Sequence, residues 1–251
     1  MTWSNYFFLF GVVGSRYFLV ATIAFTVMYV VRKKAVAQKK IQSKFPKLSD
    51  YQREILYSIS SLCIMSVIPA FILFCPSAKP FSRIYTHVSD YGVPYLFISF
   101  ALMYFMHDAY FYWAHRLMHH PKLFKYFHLV HHKSTNPSPW AAYAFHPLEA
   151  IVEGGIFAIL ACVIPIYQLN FALFFLFQII YNVYGHLGFE LYPKKFNKHW
   201  LGRWLNTSVA HNQHHEHFNG NYGLYTLFWD RMFGTLREDY DARFSEVDNR
   251  R

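Results

Sequence analysis

Charge is scarce in this chain. Only 15% of its 251 residues are charged, with 14 Asp and Glu against 24 Lys and Arg. Ordinary soluble domains carry about 25%, so a fully water-facing surface is not expected. Cysteine is scarcer still. Cys63, Cys75 and Cys162 lie in or beside apolar runs with no CxxC pair, which excludes a disulfide framework and a zinc ribbon. No GxGxxG follows a strand-like run and no haem motif occurs, so no flavin, nicotinamide or haem site is expected. HHEHF at 214–218 is not HExxH, which argues against a zincin protease.

What fills the chain instead is apolar. Hydrophobic residues make up 54% and aromatics 21%, arranged in long blocks, which is a membrane composition. The net charge of +10 is no nucleic-acid signal, because the basic residues flank those blocks. They read as headgroup anchors and orientation signals.

Phe7 to Val31 forms the first block. No Lys or Arg precedes it and no small-x-small cleavage site follows, so it reads as an uncleaved membrane helix. Arg16 interrupts it and is expected to snorkel to an interface, given Trp3, Asn5 and Tyr17 nearby, with the bundle interior as the alternative. The basic run from Arg32 to Arg53 is then cytoplasmic by the positive-inside rule. Ile55 to Cys75 is the second span, and Val93 to about Trp113 the third. Pro147 opens a fourth apolar helix ending near Pro165, and Leu169 to Gly185 is a fifth. The linking IYQLN makes these two a hairpin, either spanning or re-entrant. The expected architecture is an all-α integral-membrane domain over 1–251 with about four transmembrane helices and a cytoplasmic, histidine-rich helical cap. Residues 1–106 serve mainly as anchor helices. Residues 107–236 form the histidine region containing the hairpin at 147–185, and 237–251 an acidic, mobile tail.

The parity of these spans brings all the dense histidine groups to one side. His107 to His132 holds seven of the fifteen histidines. His115 and His119 are four apart, so a helix sets both on one face. His128, His131 and His132 follow an i, i+3, i+4 pattern, repeated by His211, His214 and His215. Protonated, such a cluster repels itself; neutral and buried, each ring needs partners. Bound cations resolve both difficulties, and the repeated pattern indicates more than one ion. Imidazole suits Fe, Zn, Cu or Ni, so ligand type alone does not select the metal. His87 stands alone in a loop, and His199 and His217 are expected to be exposed. His120 and His146 are either ligands or caps. Asn206-Thr207-Ser208 matches a glycosylation sequon on the cytoplasmic side, where it is expected to stay unmodified.

HRLMH at 115–119, HLVHH at 128–132 and HNQHH at 211–215 resemble the three histidine boxes of the fatty acid hydroxylase superfamily, which includes sterol desaturases, sterol methyl oxidases and sphingolipid hydroxylases. AFHPLEA at 144–150, YGHLGFE at 184–190, GNYG and WDRMFGT are similar too, and the resemblance covers roughly Met106 to Leu236. It implies a membrane non-haem diiron enzyme that uses O₂ to hydroxylate or desaturate a lipid, with two Fe ions. The ligands it implies are His115, His119, His128, His131, His132, His211, His214 and His215, with His186 matching the isolated histidine before the last box. Some relatives carry a further histidine where this chain has Glu190, which either ligates or orients His186. Asp108, ahead of the first box, and Glu190 are the carboxylates assigned to catalysis. Glu149, Glu153 and Asp230 are further candidates to accept an imidazole N–H.

Such an enzyme needs an external electron donor, a ferredoxin or cytochrome b5 type with its reductase. Lys122, Lys125, Lys133, Lys194, Lys195, Lys198 and Arg203 offer either a docking patch for it or anchors for headgroups. A bacterial inner membrane or the endoplasmic reticulum is the expected location. Two other classes stay open: a zinc-dependent membrane hydrolase, which works without O₂, and a metal-binding or transport protein. Histidines gathered at helix ends argue against transport, whose sites lie near the midplane.

Overall fold

A computed structural model describes residues 1–251. In chain order the helices are α1 (Trp3–Phe25), α2 (Leu48–Met65), α3 (Val67–Phe74), α4 (Val93–Met118), α5 (Pro121–Phe127) and α6 (Leu129–His132). They continue as α7 (Pro147–Val163), α8 (Gln168–Gly185), α9 (Ser208–His217), α10 (Phe228–Met232) and α11 (Tyr240–Asn249). The only sheet pairs two-residue strands, β1 (Ile84–Tyr85) and β2 (Ile166–Tyr167), in parallel.

The exterior of the helical bundle is inverted relative to a soluble protein. Phe7, Leu56, Phe97 and Phe105 are all more than 60% exposed, on α1, α2 and α4. The interior holds hydrogen-bonded polar groups beside its apolar clusters. An apolar exterior of this extent marks contact with another apolar phase. Two stretches, Trp3–Val31 and Leu48–Phe74, are long and apolar enough to cross a membrane. In the first, α1 runs into a π-helical turn at Thr26–Val31, closed by Arg32 N–H donating to the Val27 carbonyl at 2.8 Å. The second is broken at Ser66, whose hydroxyl donates back to the Leu62 carbonyl at 2.7 Å.

β2 forms the apex between α7 and α8. It pairs with β1, which lies in the connection between α3 and α4. The hairpin tip therefore reaches the same depth as the loop joining those helices. At 17 and 18 residues, α7 and α8 are each roughly 26 Å long.

The 3-10 turn Pro139–Tyr143 is buried against α1, α2 and α8. Backbone so placed must find partners. Tyr17 Oη donates to the Trp140 carbonyl at 2.7 Å, and Asn182 Nδ2 to the Ala142 carbonyl at 2.8 Å. This turn wedges the membrane helices against the histidine region.

Two expectations are corrected here. Arg16 does not snorkel: it lies mid-helix, thirteen residues after Trp3 in one continuous helix, or about 20 Å from its start. That is beyond a side chain's reach, and Arg16 instead lines the internal cavity, its guanidinium 5.8 Å from the Phe175 ring centre. Nor is the acidic tail free. Tyr240, Phe244 and Val247 form one apolar stripe of α11 and pack, fully buried, with Ile41, Val209, Ala210 and Leu227. The i, i+4, i+7 spacing of those three residues is the helical signal that the acidic composition masked.

Candidate metal centre

The nine histidines converge at one end of the bundle, in two groups. The first comprises His115, His119, His128, His132 and His214; the second comprises His131, His186, His211 and His215. Within each group the candidate ligand atoms lie within 4.8 Å of one another.

Helix geometry explains the division. At about 100° per residue, positions i and i+4 are roughly 40° apart, while i+3 falls roughly 60° to the other side. His128 and His132 accordingly share the first group and His131 crosses to the second. In the other triplet His211 and His215 share the second group and His214 crosses to the first. Each triplet therefore bridges both groups. Pro121 opens α5, with the His120 side chain accepting from Lys122 N–H at 3.3 Å. That turn folds α5 and α6 back so that the His128 and His115 Nε2 atoms stand 2.9 Å apart.

The outward nitrogens define the protonation. A carbonyl oxygen only accepts, so the imidazole nitrogen bonded to it must carry the hydrogen. His115 Nδ1 donates to the Tyr222 carbonyl at 2.8 Å, and His214 Nδ1 to the Gly220 carbonyl at 2.7 Å. His186 Nδ1 donates to the Asn182 carbonyl at 2.8 Å, and His215 Nδ1 to the Ser134 carbonyl at 3.0 Å. His128 Nδ1 donates to Glu149 Oε1 at 2.6 Å, between side chains only 3% and 1% exposed.

Burial first, then repulsion between neighbouring rings, holds the cluster in its neutral form. His115 and His186 are lowered to about 4, chiefly by burial. His128, His131, His132, His211, His214 and His215 are pushed well below the ordinary histidine range, again by burial before ring–ring repulsion.

With hydrogen on Nδ1, Nε2 carries only a lone pair. The Nε2 atoms of His115 and His128 nevertheless face each other at 2.9 Å, and those of His186 and His215 at 3.2 Å. The His186–His215 contact, with both Nδ1 hydrogens held by carbonyls, cannot be a hydrogen bond, and the His115–His128 contact is the same wherever Glu149 is ionised; such contacts repel unless a cation lies between. Donors about 2.0–2.1 Å from a first-row ion, at right angles, stand about 3 Å apart. The donor set therefore fits metal: neutral rings that face one another through Nε2, with Nδ1 held from outside in five of the nine.

The residues fixing Nδ1 are themselves fixed. Asp230 accepts from Tyr222 N–H, Gly223 N–H and the Thr235 hydroxyl at 2.7–2.8 Å, setting the turn that presents two of the carbonyls. Gly223 is required there, since a Cβ would lie 2.1 Å from the Thr226 carbonyl. Gly188 turns the chain after His186 at φ +73°, where a Cβ would meet Tyr29 Oη at 2.9 Å.

Asp108 and Glu190 stand outside both groups. Asp108 accepts from the Tyr225 and Thr226 N–H groups and the Thr226 hydroxyl. Glu190 accepts from the Tyr184 hydroxyl at 2.6 Å, Tyr192 N–H at 2.9 Å and Val209 N–H at 3.1 Å. With their oxygens so engaged, both brace the elements that carry the histidines. His120 and His146 each cap a helix, His199 and His217 are exposed, and His87 is remote from both groups. Asn206 is buried, its Nδ2 donating to the Gly223 and Leu224 carbonyls.

A cavity of about 240 Å³ opens beside the second group, among α1, α3, α4, α7 and α8. Its wall includes Phe145, whose ring centre lies 5.2 Å from that of His131, and Asn182, whose carbonyl holds His186. Over the first group, Phe124, Phe218 and Tyr222 pack on His119 and His132 with ring centres 4.9–5.5 Å away.

The arrangement can be set beside known proteins. The family model described as fatty acid hydroxylase matches residues 100–235, more than half the chain and every histidine of both groups. The chain belongs to the fatty acid hydroxylase family. Among curated members, a Delta(7)-sterol 5(6)-desaturase of Gibberella zeae is 34% identical over 164 residues, covering 65% of this chain and 49% of that one. Another, from Aspergillus fumigatus, is 31% identical over 206 residues, 74% of this chain and 62% of that one. The lathosterol oxidase of Rattus norvegicus is 30% identical over 187 residues, 74% and 60% of the two chains. The chain thus spans about half to three-fifths of these relatives' length. No solved structure matches it.

The carbonyls of Ser134, Asn182, Gly220 and Tyr222 were not legible as functional groups, because a backbone oxygen carries no sequence signature. Glu149 was, as one of five carboxylates near the boxes; only the fold shows that it alone reaches an imidazole.

Proposed function

We propose that this protein is a membrane oxidoreductase that hydroxylates or desaturates a lipid with O₂, the nine histidines holding two iron ions. The observation that carries this reading is the facing of Nε2 lone pairs inside two adjoining, buried histidine groups. His115, His119, His128, His132 and His214 would hold one ion, and His131, His186, His211 and His215 the other. Bound iron supplies the redox chemistry that turns O₂ against an unactivated C–H bond. The sterol desaturase and lathosterol oxidase relatives favour a sterol-type lipid.

The chain's own groups supply the setting. Tyr222, Gly220, Asn182, Ser134 and Glu149 orient five rings without moving. The cavity admits the lipid between α1, α4, α7 and α8 and brings its reacting carbon to the second group. At about 240 Å³, it is smaller than the roughly 300 Å³ of a small ligand pocket. It therefore suits the reacting portion of a lipid whose remainder lies among the helices. Zinc, which binds imidazole more tightly than Fe(II), is expected to replace iron in overexpressed samples.

Histidines on the cytoplasmic side fit the basic run Arg32–Arg53, and the pairing of β2 with β1, in the connection between α3 and α4, favours a hairpin that crosses fully, which makes five crossings, by α1, α2–α3, α4, α7 and α8, in place of about four. Lys122, Lys125, Lys133, Lys194, Lys195, Lys198 and Arg203 are all exposed at the histidine end. They suit an acidic ferredoxin or cytochrome b5 as electron donor in a bacterial inner membrane or the endoplasmic reticulum. The test is product formation by the iron-loaded protein with lipid and reductant, with and without O₂. Product should require both O₂ and reductant. Undiminished product under strict anaerobiosis sinks the reading.

A further inference from the structure

The basic connector between α1 and α2 is not uniformly solvated. Arg32, Lys33, Lys34, Lys44 and Lys47 are exposed. Lys40 and Ile41, between them, are only 3% and 1% exposed. Residues 39–44 bond to three separate stretches of the histidine region. The first is the chain just after His186. Ile41 N–H donates to the Gly188 carbonyl at 3.0 Å, and Glu190 N–H to the Lys39 carbonyl at 2.9 Å, an antiparallel bridge centred on Lys40 and Phe189. The second is the loop after His131 and His132. Asn136 Nδ2 donates to the Lys44 carbonyl at 2.7 Å, and Asn136 Oδ1 accepts from Lys40 Nζ at 3.3 Å. The same ammonium lies 5.3 Å from the ring centres of Phe45 and Phe189. The third is α9, where Ile41 packs with Val209 and Ala210.

Gln42 ties the second stretch to the third. Its Nε2 donates to the Thr135 carbonyl at 2.8 Å and to Asn212 Oδ1 at 3.0 Å. An amide nitrogen carries two hydrogens, and both are used. A buried ammonium is costly unless partnered, and a connector that only joins two helices has no need of one. The three stretches share one property. Together they carry His131, His186, His211 and His215, every member of the second group. The gripped loop also presents the Ser134 carbonyl that holds His215 Nδ1 at 3.0 Å. Of the first group, only His132 and His214 come from these stretches; His115 and His119 come from α4, and His128 ends α5.

We infer that residues 39–44 form a strap that positions the second histidine group, with Gln42 as its central positioning residue. No residue of the strap belongs to either histidine group. It acts by fixing against one another the three backbones from which the four rings project. Metal ligands work only when held to within about 0.5 Å, and ligands drawn from three distant parts of the chain need a common brace. The inference rests on the two-ion reading and deepens it, since it names what keeps one ion's ligands in register.

The test counts metal per chain on the purified full-length protein across a chelator titration, for wild type and Gln42→Met. Met keeps the length of the side chain and removes both N–H groups. One ion of the variant should bind about tenfold more weakly than in wild type, the lower end of the loss seen when the support behind metal ligands is removed. The other should stay within about twofold. Introduced beside His211→Ala and His215→Ala, which leave the first group alone, Gln42→Met should change the remaining ion's affinity by less than about twofold. Asn136→Ala loosens the same grip from the loop side and should act in the same direction, so it decides the matter if Gln42→Met does not fold. Both ions weakened equally, as general destabilisation predicts, overturns the strap, and so do two affinities within twofold of wild type. Hydrogen exchange of the metal-free chain separates this from failure of the two-ion reading. In Gln42→Met, amides of residues 133–136, 187–190 and 209–215 should exchange faster, and those of α4 should not change. If that pattern appears while wild type holds fewer than two ions, the strap stands and the two-ion reading falls.

Discussion

Replacing Glu149 with Gln keeps the shape of the side chain and removes the charge that accepts from His128 Nδ1. The contact is 2.6 Å long between side chains 3% and 1% exposed, so water cannot take over. Hydrogen bonds to charged groups contribute about 1.5–3 kcal/mol. Loss of such a partner behind a ligating histidine lowers metal affinity about 10–100-fold, or roughly 1.4–2.7 kcal/mol. Metal affinity by competition with a chromophoric chelator reads this directly. Glu190→Gln is the control, because its oxygens serve Tyr184, Tyr192 and Val209 and touch no histidine. It should lower the melting temperature and leave the affinity of the folded protein near wild type. Metal affinity of Glu149→Gln within twofold of wild type would refute the reasoning.

Acid should destabilise the metal-free protein in a defined window. His115 and His186 have folded-state pKa values of about 4, against 6.5 when unfolded. The unfolded chain therefore binds protons first as pH falls, and stability present above 6.5 is lost progressively toward 4. Each ring contributes on the order of 3 kcal/mol to that loss, measurable as a falling midpoint of chemical unfolding; a flat profile between pH 7 and 4.5 contradicts it. Phe244→Ala should cost about 3–5 kcal/mol by emptying a buried site between α11 and α9, whereas a melting temperature unchanged from wild type would show that α11 is dispensable. Cysteines placed at exposed Lys122 and Asn219 should react with impermeant reagents only after the cell is opened, and labelling in intact cells overturns the topology.

The histidine centre was legible because metal ligation on helices leaves a spacing that few other demands produce. Spacing i, i+4 in His115 and His119, and the two triplets, sufficed to gather eight rings. His186 needed the resemblance, since a lone histidine carries no spacing. The hairpin was legible from Pro147 and the short IYQLN link. Arg16 was misread because neighbours suggested an interface, while the length of α1, which decides how far a side chain can reach, is fixed only by the fold. The tail was misread because acidic composition concealed the stripe of Tyr240, Phe244 and Val247. The surroundings of Asp108 and Glu190 were not legible for a third reason. A buried carboxylate near a ligand box has the same sequence appearance whether it serves an imidazole or a row of backbone N–H groups. Only Glu149 does the former.

The central claim is that nine histidines hold two ions, five to one and four to the other. Metal atoms per chain, counted by mass spectrometry on the purified full-length protein, test it most directly. Wild type should retain two. His211→Ala combined with His215→Ala, which leaves only His131 and His186 in the second group, should retain one, held by the first group. A wild-type count of one, or a double variant that keeps two, contradicts the account.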